Sequence, residues 1–190
     1  MEYQIDYAEM LMRKGDLEEA QKVLESILIE NPDDLRALFD IGIVFTENGH
    51  NDKAVKALEY YIKLNPNNSD VYEALGCAYF RLEENIQALE SFQQALDIDP
   101  EHSSVLRNMG VVYSELGEID KSYNNLLESY RIDPTDYRTM YALVSAHTFF
   151  GKYDKARNLL STILNADDVP EDIKQNATLL ESRLKKKMER

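Results

Sequence analysis

The chain has 190 residues, of which 44% are hydrophobic and 29% are charged, enough to form one domain with an apolar core and a solvated surface. Its net charge of −14 repels phosphate backbones, so we expect no nucleic-acid partner. No apolar run is long enough for membrane insertion, the acidic N-terminal stretch has no apolar leader, and the single cysteine, Cys77, excludes an internal disulfide, so we expect a cytoplasmic protein.

Prolines and glycines recur along the chain with a period of 34 residues. Four prolines share this spacing: Pro32, Pro66, Pro100 and Pro134. A fifth, Pro170, is displaced from it by two residues. One glycine series keeps the same period: Gly42, Gly76 and Gly110. A second series has Glu83 in place of its third member: Gly15, Gly49, Gly117 and Gly151. A period of this length indicates stacked supersecondary units.

Side chains of similar size recur with the same period. One column is small: Ala20, Ala54, Ala88, Ser122 and Ala156. A second is large and mostly aromatic: Leu11, Phe45, Tyr79, Tyr113 and His147. A third is large and apolar: Leu24, Leu58, Phe92, Leu126 and Leu160. Columns that stay in phase predict one core contact pattern that is repeated in every unit.

Each period predicts two amphipathic helices joined by a short turn. In the second period, apolar residues at helical spacing predict helices over about 36–47 and 52–64. Gly49 is expected to end the first helix and Pro66 to stop the second. Polar residues that follow the prolines are expected to cap the next helix: Asn68, Ser69, Ser103 and Thr135.

Three glycines fall inside predicted helices, where glycine costs about 1 kcal/mol relative to alanine. We expect Gly42, Gly76 and Gly110 to permit close helix packing against three members of the small column: Ala54, Ala88 and Ser122. After the last period, residues 171–190 predict one more amphipathic helix. Its apolar stripe is formed by Ile173, Ala177, Leu180 and Leu184.

Several segments resemble tetratricopeptide repeats: GDLEEA, GKYDKA, ALGCAYF, NMGVVYSELGEIDKS and ALDIDP. The resemblance covers residues 1–170 as five repeats, 1–34, 35–68, 69–102, 103–136 and 137–170, with 171–190 similar to a C-terminal capping helix. It implies an all-α fold, a right-handed α-solenoid superhelix of helix-turn-helix repeats. It also implies a non-enzymatic protein–protein interaction adaptor, since the first helices of such repeats line a concave groove that binds a peptide or helical segment of a partner.

By this resemblance, eleven residues are expected to line the groove: Ile5, Phe39, Ile43, Glu73, Cys77, Phe80, Arg81, Arg107, Val111, Tyr141 and Phe149. An apolar track bordered by acids suits a partner segment with apolar and basic residues. Phe39, Phe80 and Tyr141 are the expected binding hot spots. Several of these residues have an alternative role, packing between adjacent units. Chaperone-binding members clamp a terminal carboxylate with basic side chains, and these are nearly absent at the matching positions, so we expect no such clamp.

Two other functions stay open. The chain could be a structural scaffold that self-associates weakly through Tyr3, Tyr7 and Met10 of the N-terminal repeat, which no capping helix precedes. It could also be the interaction region of a longer multidomain protein, because the sequence begins inside a predicted helix.

No constellation of residues indicates catalysis, a cofactor or a metal site. His50, His102 and His147 fall at a turn, an inter-repeat loop and a core-facing slot, so they do not converge. His147 occupies the aromatic column and is expected to be a packed core imidazole. The sequence contains no Gly-rich phosphate loop, no HExxH and no GxSxG motif. We therefore expect that the chain is not an enzyme.

Overall fold

The computed structural model describes residues 2–188, and side chains from residue 3 onward. Within that range all regular structure is α-helical, in eleven helices: α1 (Glu2–Lys14), α2 (Leu17–Glu30), α3 (Leu35–Glu47), α4 (Asn51–Leu64), α5 (Ser69–Arg81), α6 (Asn85–Ile98), α7 (Ser103–Glu115), α8 (Ile119–Ile132), α9 (Tyr137–Phe149), α10 (Tyr153–Asn165) and α11 (Glu171–Met188). Helices α3 and α4 agree with the two ranges predicted for the second period to within one residue.

The chain forms two compact units, Met1–Pro100 with α1 to α6 and Glu101–Arg190 with α7 to α11. Within each unit, the helices that contact each other most are successive pairs such as α3 with α4 and α7 with α8. The finer division into five repeats stays a prediction.

In the first four pairs, the second helix ends two residues before a proline. Helix α4 ends at Leu64, and Asn65 then leaves the helical region with φ −143° and ψ 93° before Pro66. The proline ring clashes with a preceding residue in the helical conformation, so that residue is forced to extend. Helices α2, α6 and α8 end in the same way. The periodic prolines therefore set the length of these helices, as the spacing predicts.

The first helix of a pair ends in a left-handed residue. Gly49 has φ +77°, its N–H donates to the carbonyl of Thr46 at 3.2 Å, and the next N–H, of His50, donates to the carbonyl of Phe45 at 2.7 Å. Glu83 adopts φ 63° at the corresponding turn. A side chain in this conformation is strained by about 1–2 kcal/mol. This turn therefore requires a left-handed backbone conformation, which strains Glu83 but does not strain glycine.

The helix caps only partly match the expectation. Asn68 caps α5, since its Oδ1 accepts from the N–H of Asp70 at 3.0 Å. The predictions for three other caps are wrong: Ser69, Ser103 and Thr135. The first two are already the first residues of their helices, and the cap of α9 is Asp136, which accepts from the N–H of Arg138 at 2.9 Å. Hydroxyl residues after a proline do not by themselves locate the helix start.

The helical glycines face large side chains rather than the small column. A Cβ added to Gly76 would lie 2.5 Å from Cε1 of Phe92, which is fully buried. A Cβ added to Gly42 would lie 2.6 Å from Cδ2 of Leu58, and one added to Gly110 would lie 2.8 Å from Cγ of Leu126. The nearest atoms thus belong to these large side chains and not to the expected Ala54 and Ala88, whereas a Cβ on Gly110 would also lie 3.3 Å from the backbone oxygen of the expected Ser122. The glycines leave room for the third column to fill the space between paired helices.

The core of the first unit is continuous along its apolar helix stripes. Residues of α1 to α4, with Ala78 of α5, form one cluster, which includes Ile5, Ala8, Leu11, Leu24, Ile27 and Ile41. A second cluster joins α3, α4 and α5: Leu38, Leu58, Tyr61, Val71 and Leu75. Burial of these stripes supplies the main driving force for pairing the helices.

The core of the second unit includes the C-terminal helix. Helix α11 packs against α9 and α10. Ile173, Ala177 and Leu184 are buried there and Leu180 is half-buried, so the predicted stripe faces the core. The other faces are polar, and three lysines occupy the last turn, where the helix dipole favours positive charge. Helix α11 thus caps the last pair. Residues 189 and 190 of the predicted helix lie outside the described range.

Candidate functional site

In the first unit, five of the predicted groove residues lie half-buried on α3 and α5: Phe39, Ile43, Glu73, Cys77 and Phe80. Phe39 packs edge-on against Tyr61, with ring centroids 6.4 Å apart. Arg81 is exposed, and its Nη2 donates to Oε1 of Glu47 at 2.8 Å. These first helices therefore present apolar rings beside charged groups, with part of each ring accessible.

Ile5 does not belong to this accessible set. It is only 3% exposed and lies in the core cluster with Ala8 and Leu11. These three residues recur at i, i+3 and i+6 on α1 and form the stripe that packs on the rest of the unit. Its assignment as a groove residue is corrected, because a side chain this deeply buried offers no surface to a ligand.

Arg107 is engaged within the second unit. Its Nη1 donates to Oδ2 of Asp136 at 2.5 Å, and both side chains are largely buried. Burial works to raise the pKa of Asp136, but hydrogen bonds from Thr139 and Arg107, with the backbone N–H of Arg138, hold it below its ordinary value. Arg107 therefore fastens the cap of α9 to α7. A role as a rim charge that meets a partner is not what its contacts show.

An apolar pocket of about 310 Å³ lies between α7 and α9 of the second unit, above α8. It is lined by Val111, Ser114, Glu115, Ile119, Ser122, Leu126, Ala142, Ser145, Ala146 and Phe149. Val111 and Phe149 are 38% and 66% exposed and were predicted from the sequence. Tyr141, also predicted, is half-buried against the unit's core and is not part of the lining.

The pocket depends on small side chains that the sequence analysis did not single out. Ala142, Ser145 and Ala146 lie on the face of α9 that turns toward α7. Their recurrence at i, i+3 and i+4 is the signal that could have located the pocket. A volume near 300 Å³ is at the lower end of the range for ligand sites and suits one or two apolar side chains.

Two buried side chains, Tyr123 and His147, meet the exposed Lys152 at the turn between α9 and α10. The hydroxyl of Tyr123 lies 3.2 Å from Nδ1 of His147, and Nζ of Lys152 donates to that hydroxyl at 3.0 Å. Lys152 also lies over the Tyr123 ring, 4.4 Å from its centroid. Burial, followed by the charges of Lys155 and Lys152, lowers the pKa of His147. His147 is thus a core imidazole, as predicted, but its polar partners were not foreseen.

The net negative charge is concentrated in the first unit. Residues 1–100 hold 21 acidic and 8 basic side chains of the 35 and 21 in the whole chain. Such a surface attracts basic groups and speeds their arrival at low ionic strength. None of the helices in residues 2–188 is both long enough and apolar enough to cross a membrane.

Helix pairs of constant length, glycine turns and proline stops define a helical-repeat scaffold. Family models of the tetratricopeptide repeat match residues 8–76 and 69–102. The chain belongs to the tetratricopeptide repeat family. Proteins of this family are generally non-enzymatic modules for protein–protein interaction. No curated protein sequence gives a significant match.

Solved structures confirm the fold class. TTC0263, a thermophilic tetratricopeptide repeat protein of Thermus thermophilus, has a TM-score of 0.84 and 21% identity over 95% of this chain and 98% of its own. PilF of Pseudomonas aeruginosa has a TM-score of 0.80 and 18% identity over 99% and 84% of the two chains. YrrB, described as having an unusual peptide-binding site, has a TM-score of 0.64 and 19% identity over 96% and 90%. The predicted all-α tetratricopeptide solenoid with a capping helix is therefore correct.

Proposed function

We propose that this protein is a non-enzymatic adaptor that binds a peptide or helical segment of a partner protein on the first helices of its repeats. The observation that carries the proposal is the apolar pocket between α7 and α9, with Phe149 two-thirds exposed at its edge. The five-repeat organisation, a cytoplasmic location and the absence of a carboxylate clamp are parts of the same proposal.

The pocket suits one apolar anchor of a partner segment. Small residues of α9 form one of its walls, while Val111 and Phe149 offer apolar surface at its edge. Large side chains inserted into such sites supply most of the binding energy of a protein interface. Glu115 adds an acceptor to the lining, and the strongly acidic first unit favours a segment that also carries basic residues. YrrB, which shares the fold, is described as having a peptide-binding site.

The test compares variants that alter the pocket without touching the core. Phe149→Ala removes the exposed ring, and Ser145→Leu fills the pocket from an exposed position. Each should lower the affinity for a partner protein recovered from the native source by about tenfold or more, which is the effect of losing one anchor. Matched controls change exposed residues outside the pocket, Leu179→Ala on α11 and Ser161→Leu on α10, and should leave the affinity unchanged. Equal affinity for both pocket variants and both controls, with intact circular dichroism, would reject the pocket as the binding surface.

Self-association is a second candidate, which one observation favours. Tyr3 is 91% exposed and Tyr7 is nearly half-exposed on α1, the first helix of the first unit. Aromatic side chains are enriched in protein interfaces. Sedimentation equilibrium of wild type and Tyr3→Ser/Tyr7→Ser over a wide concentration range tests this. A dimer that the double variant abolishes supports the scaffold, whereas a monomer throughout excludes it.

A further inference from the structure

Three carboxylates of the first unit lie where α1 meets α3. Asp6 and Glu9 come from α1, and Asp40 comes from α3. Arg36, one turn before Asp40, donates to Oε1 of Glu9 at 2.5 Å and to Oδ1 of Asp6 at 3.1 Å. Arg36 therefore serves two of the acids, and Nη2 of Arg13 lies 3.5 Å from the other oxygen of Glu9; all three ion pairs are at least partly exposed.

Asp40 has no such partner for one of its oxygens. Its side chain is 9% exposed, and no donor among the described residues hydrogen-bonds to its Oδ2, which is fully buried. A buried, unsatisfied carboxylate oxygen is costly to the fold. The slots 34, 68 and 102 residues later are neutral, Ala74, Asn108 and Ala142, and the acid in the slot 34 residues earlier, Asp6, is exposed, so the repeat does not require a buried acid here. The acid at this position is thus a destabilising departure from the pattern, and it needs another reason.

We propose that Asp40 and Glu9 form a subsite for the cationic side chain, lysine ammonium or arginine guanidinium, of the partner segment. The proposal rests on the proposed function, because it supplies the basic-residue contact for the same kind of ligand. An ammonium or guanidinium brings several N–H donors on a flexible stem and makes charge-assisted hydrogen bonds to carboxylates. The excess of acidic side chains in this unit favours the approach of that group.

A divalent metal ion fits the geometry less well. Among the described residues, Asp6, Glu9 and Asp40 do not bring three ligand atoms within 4.8 Å of one another. Hard cations such as Ca²⁺ take six or more oxygen ligands, which this arrangement does not assemble. One cationic side chain needs only one or two acceptors, fewer than a metal ion takes.

The subsite is expected to respond to pH near neutrality. Burial first, and then the charges of Glu9 and Asp34, raise the pKa of Asp40 to about 6 against the opposing charge of Arg36. The ionised form that binds a cation is therefore present at pH 7 and is largely lost at pH 5. Affinity for the cation should fall by about tenfold between these values if Asp40 carries the contact.

The test uses blocked tripeptides as probes, Ala-Lys-Ala and its norleucine analogue, titrated into the ¹⁵N-labelled full chain and followed by NMR. We expect saturable shifts of α1 and α3 amides with the lysine peptide and none with the norleucine peptide. Asp40→Asn should weaken binding about tenfold and remove its pH dependence, whereas Asp97→Asn, a change of an exposed acid on α6, should leave both unchanged. Equal binding to Asp40→Asn, or equal binding of norleucine, overturns the proposal.

Two further arms separate the alternatives. If Mg²⁺ or Ca²⁺ shifts the same amides and displaces the lysine peptide at lower concentration, the site is a metal site and the proposal is wrong. The pocket variant Ser145→Leu lies in the other unit and should bind the lysine probe as wild type does. Failure of the pocket is thus distinguishable from failure of the cation subsite.

Discussion

Replacement of Asp40 by asparagine should stabilise the protein at neutral pH. Burial is the main reason that the pKa of Asp40 rises from 3.8 to about 6 in the folded state. Between those values the folded state binds more protons than the unfolded state, so the free energy of unfolding falls as the pH rises from about 4 to 6. Asparagine keeps the shape of the side chain and removes the titration, and Asn108 already occupies the corresponding slot two periods later.

The magnitude follows from the size of the pKa shift. A rise of about 2 units corresponds to about 3 kcal/mol of differential stability once both states are ionised. At pH 4, where Asp40 is protonated in the folded state and nearly half protonated in the unfolded state, the same linkage leaves less than about 1 kcal/mol. The gain of Asp40→Asn over wild type should therefore grow by about 2 kcal/mol between pH 4 and pH 7.

Urea unfolding of both proteins at pH 4, 5, 6 and 7, monitored by circular dichroism, measures this difference. Asp97→Asn removes the same charge from an exposed position and controls for the change in net charge. A gain that is equal at pH 4 and pH 7, or that Asp97→Asn reproduces, would show that burial of the Asp40 carboxylate does not control stability. Loss of stability in Asp40→Asn at pH 7 would refute the reasoning outright.

Three further predictions test the repeat itself. Gly76→Ala should destabilise the protein by about 1–3 kcal/mol, measured by urea unfolding, because the new Cβ would lie 2.5 Å from the buried ring of Phe92. Glu83→Gly should raise the melting temperature by relieving a left-handed residue, a gain of about 1 kcal/mol, and an unchanged value would contradict the strain. His147→Phe should lose less stability than wild type on acidification below pH 6.5, because burial and two nearby lysines lower the pKa of His147 in the folded state, so protonation favours unfolding. Melting curves at pH 7.5 and 5.5 check this, and parallel losses in both proteins would count against it.

The period predicted the fold because it records contacts that every unit must make. Each proline forces the residue before it out of the helix, and each turn glycine supplies a left-handed conformation, so both are visible in the sequence without a structure. The nearest neighbours of the helical glycines do not follow from the period, for a geometric reason. Ala88 and Phe92 both recur with the same period as Gly76, so the period does not tell which of them lies nearer to the glycine. The rotation of the paired helices brings the ring of Phe92 against it.

The candidate site was harder to predict because position on a first helix does not determine exposure. Ile5 and Phe149 were assigned to one groove by the same reasoning, yet one is 3% and the other 66% exposed. Ile5 lies on a stripe that the core absorbs, whereas Phe149 lies at the last position of α9, beyond the packed face. The sequence places Arg107 in the groove, but it does not show that Asp136 lies within reach of its guanidinium.

Departures from the period carry the information about function that the period itself lacks, but only after the structure has sorted them. His147 departs from an aromatic column, and the hydroxyl of Tyr123 with Lys152 accounts for it within the core. Glu83 stands in a glycine slot and makes the same turn hydrogen bond that glycine would. Its left-handed backbone adds strain, and this hydrogen bond does not explain why glutamate replaces glycine. Asp40 differs from both, because its buried oxygen is left without a donor among the described residues, whereas the same slot holds an exposed acid, Asp6, in the first period and neutral side chains in the later ones. A charge that the fold neither needs nor satisfies is the departure for which a bound cation gives a physical reason.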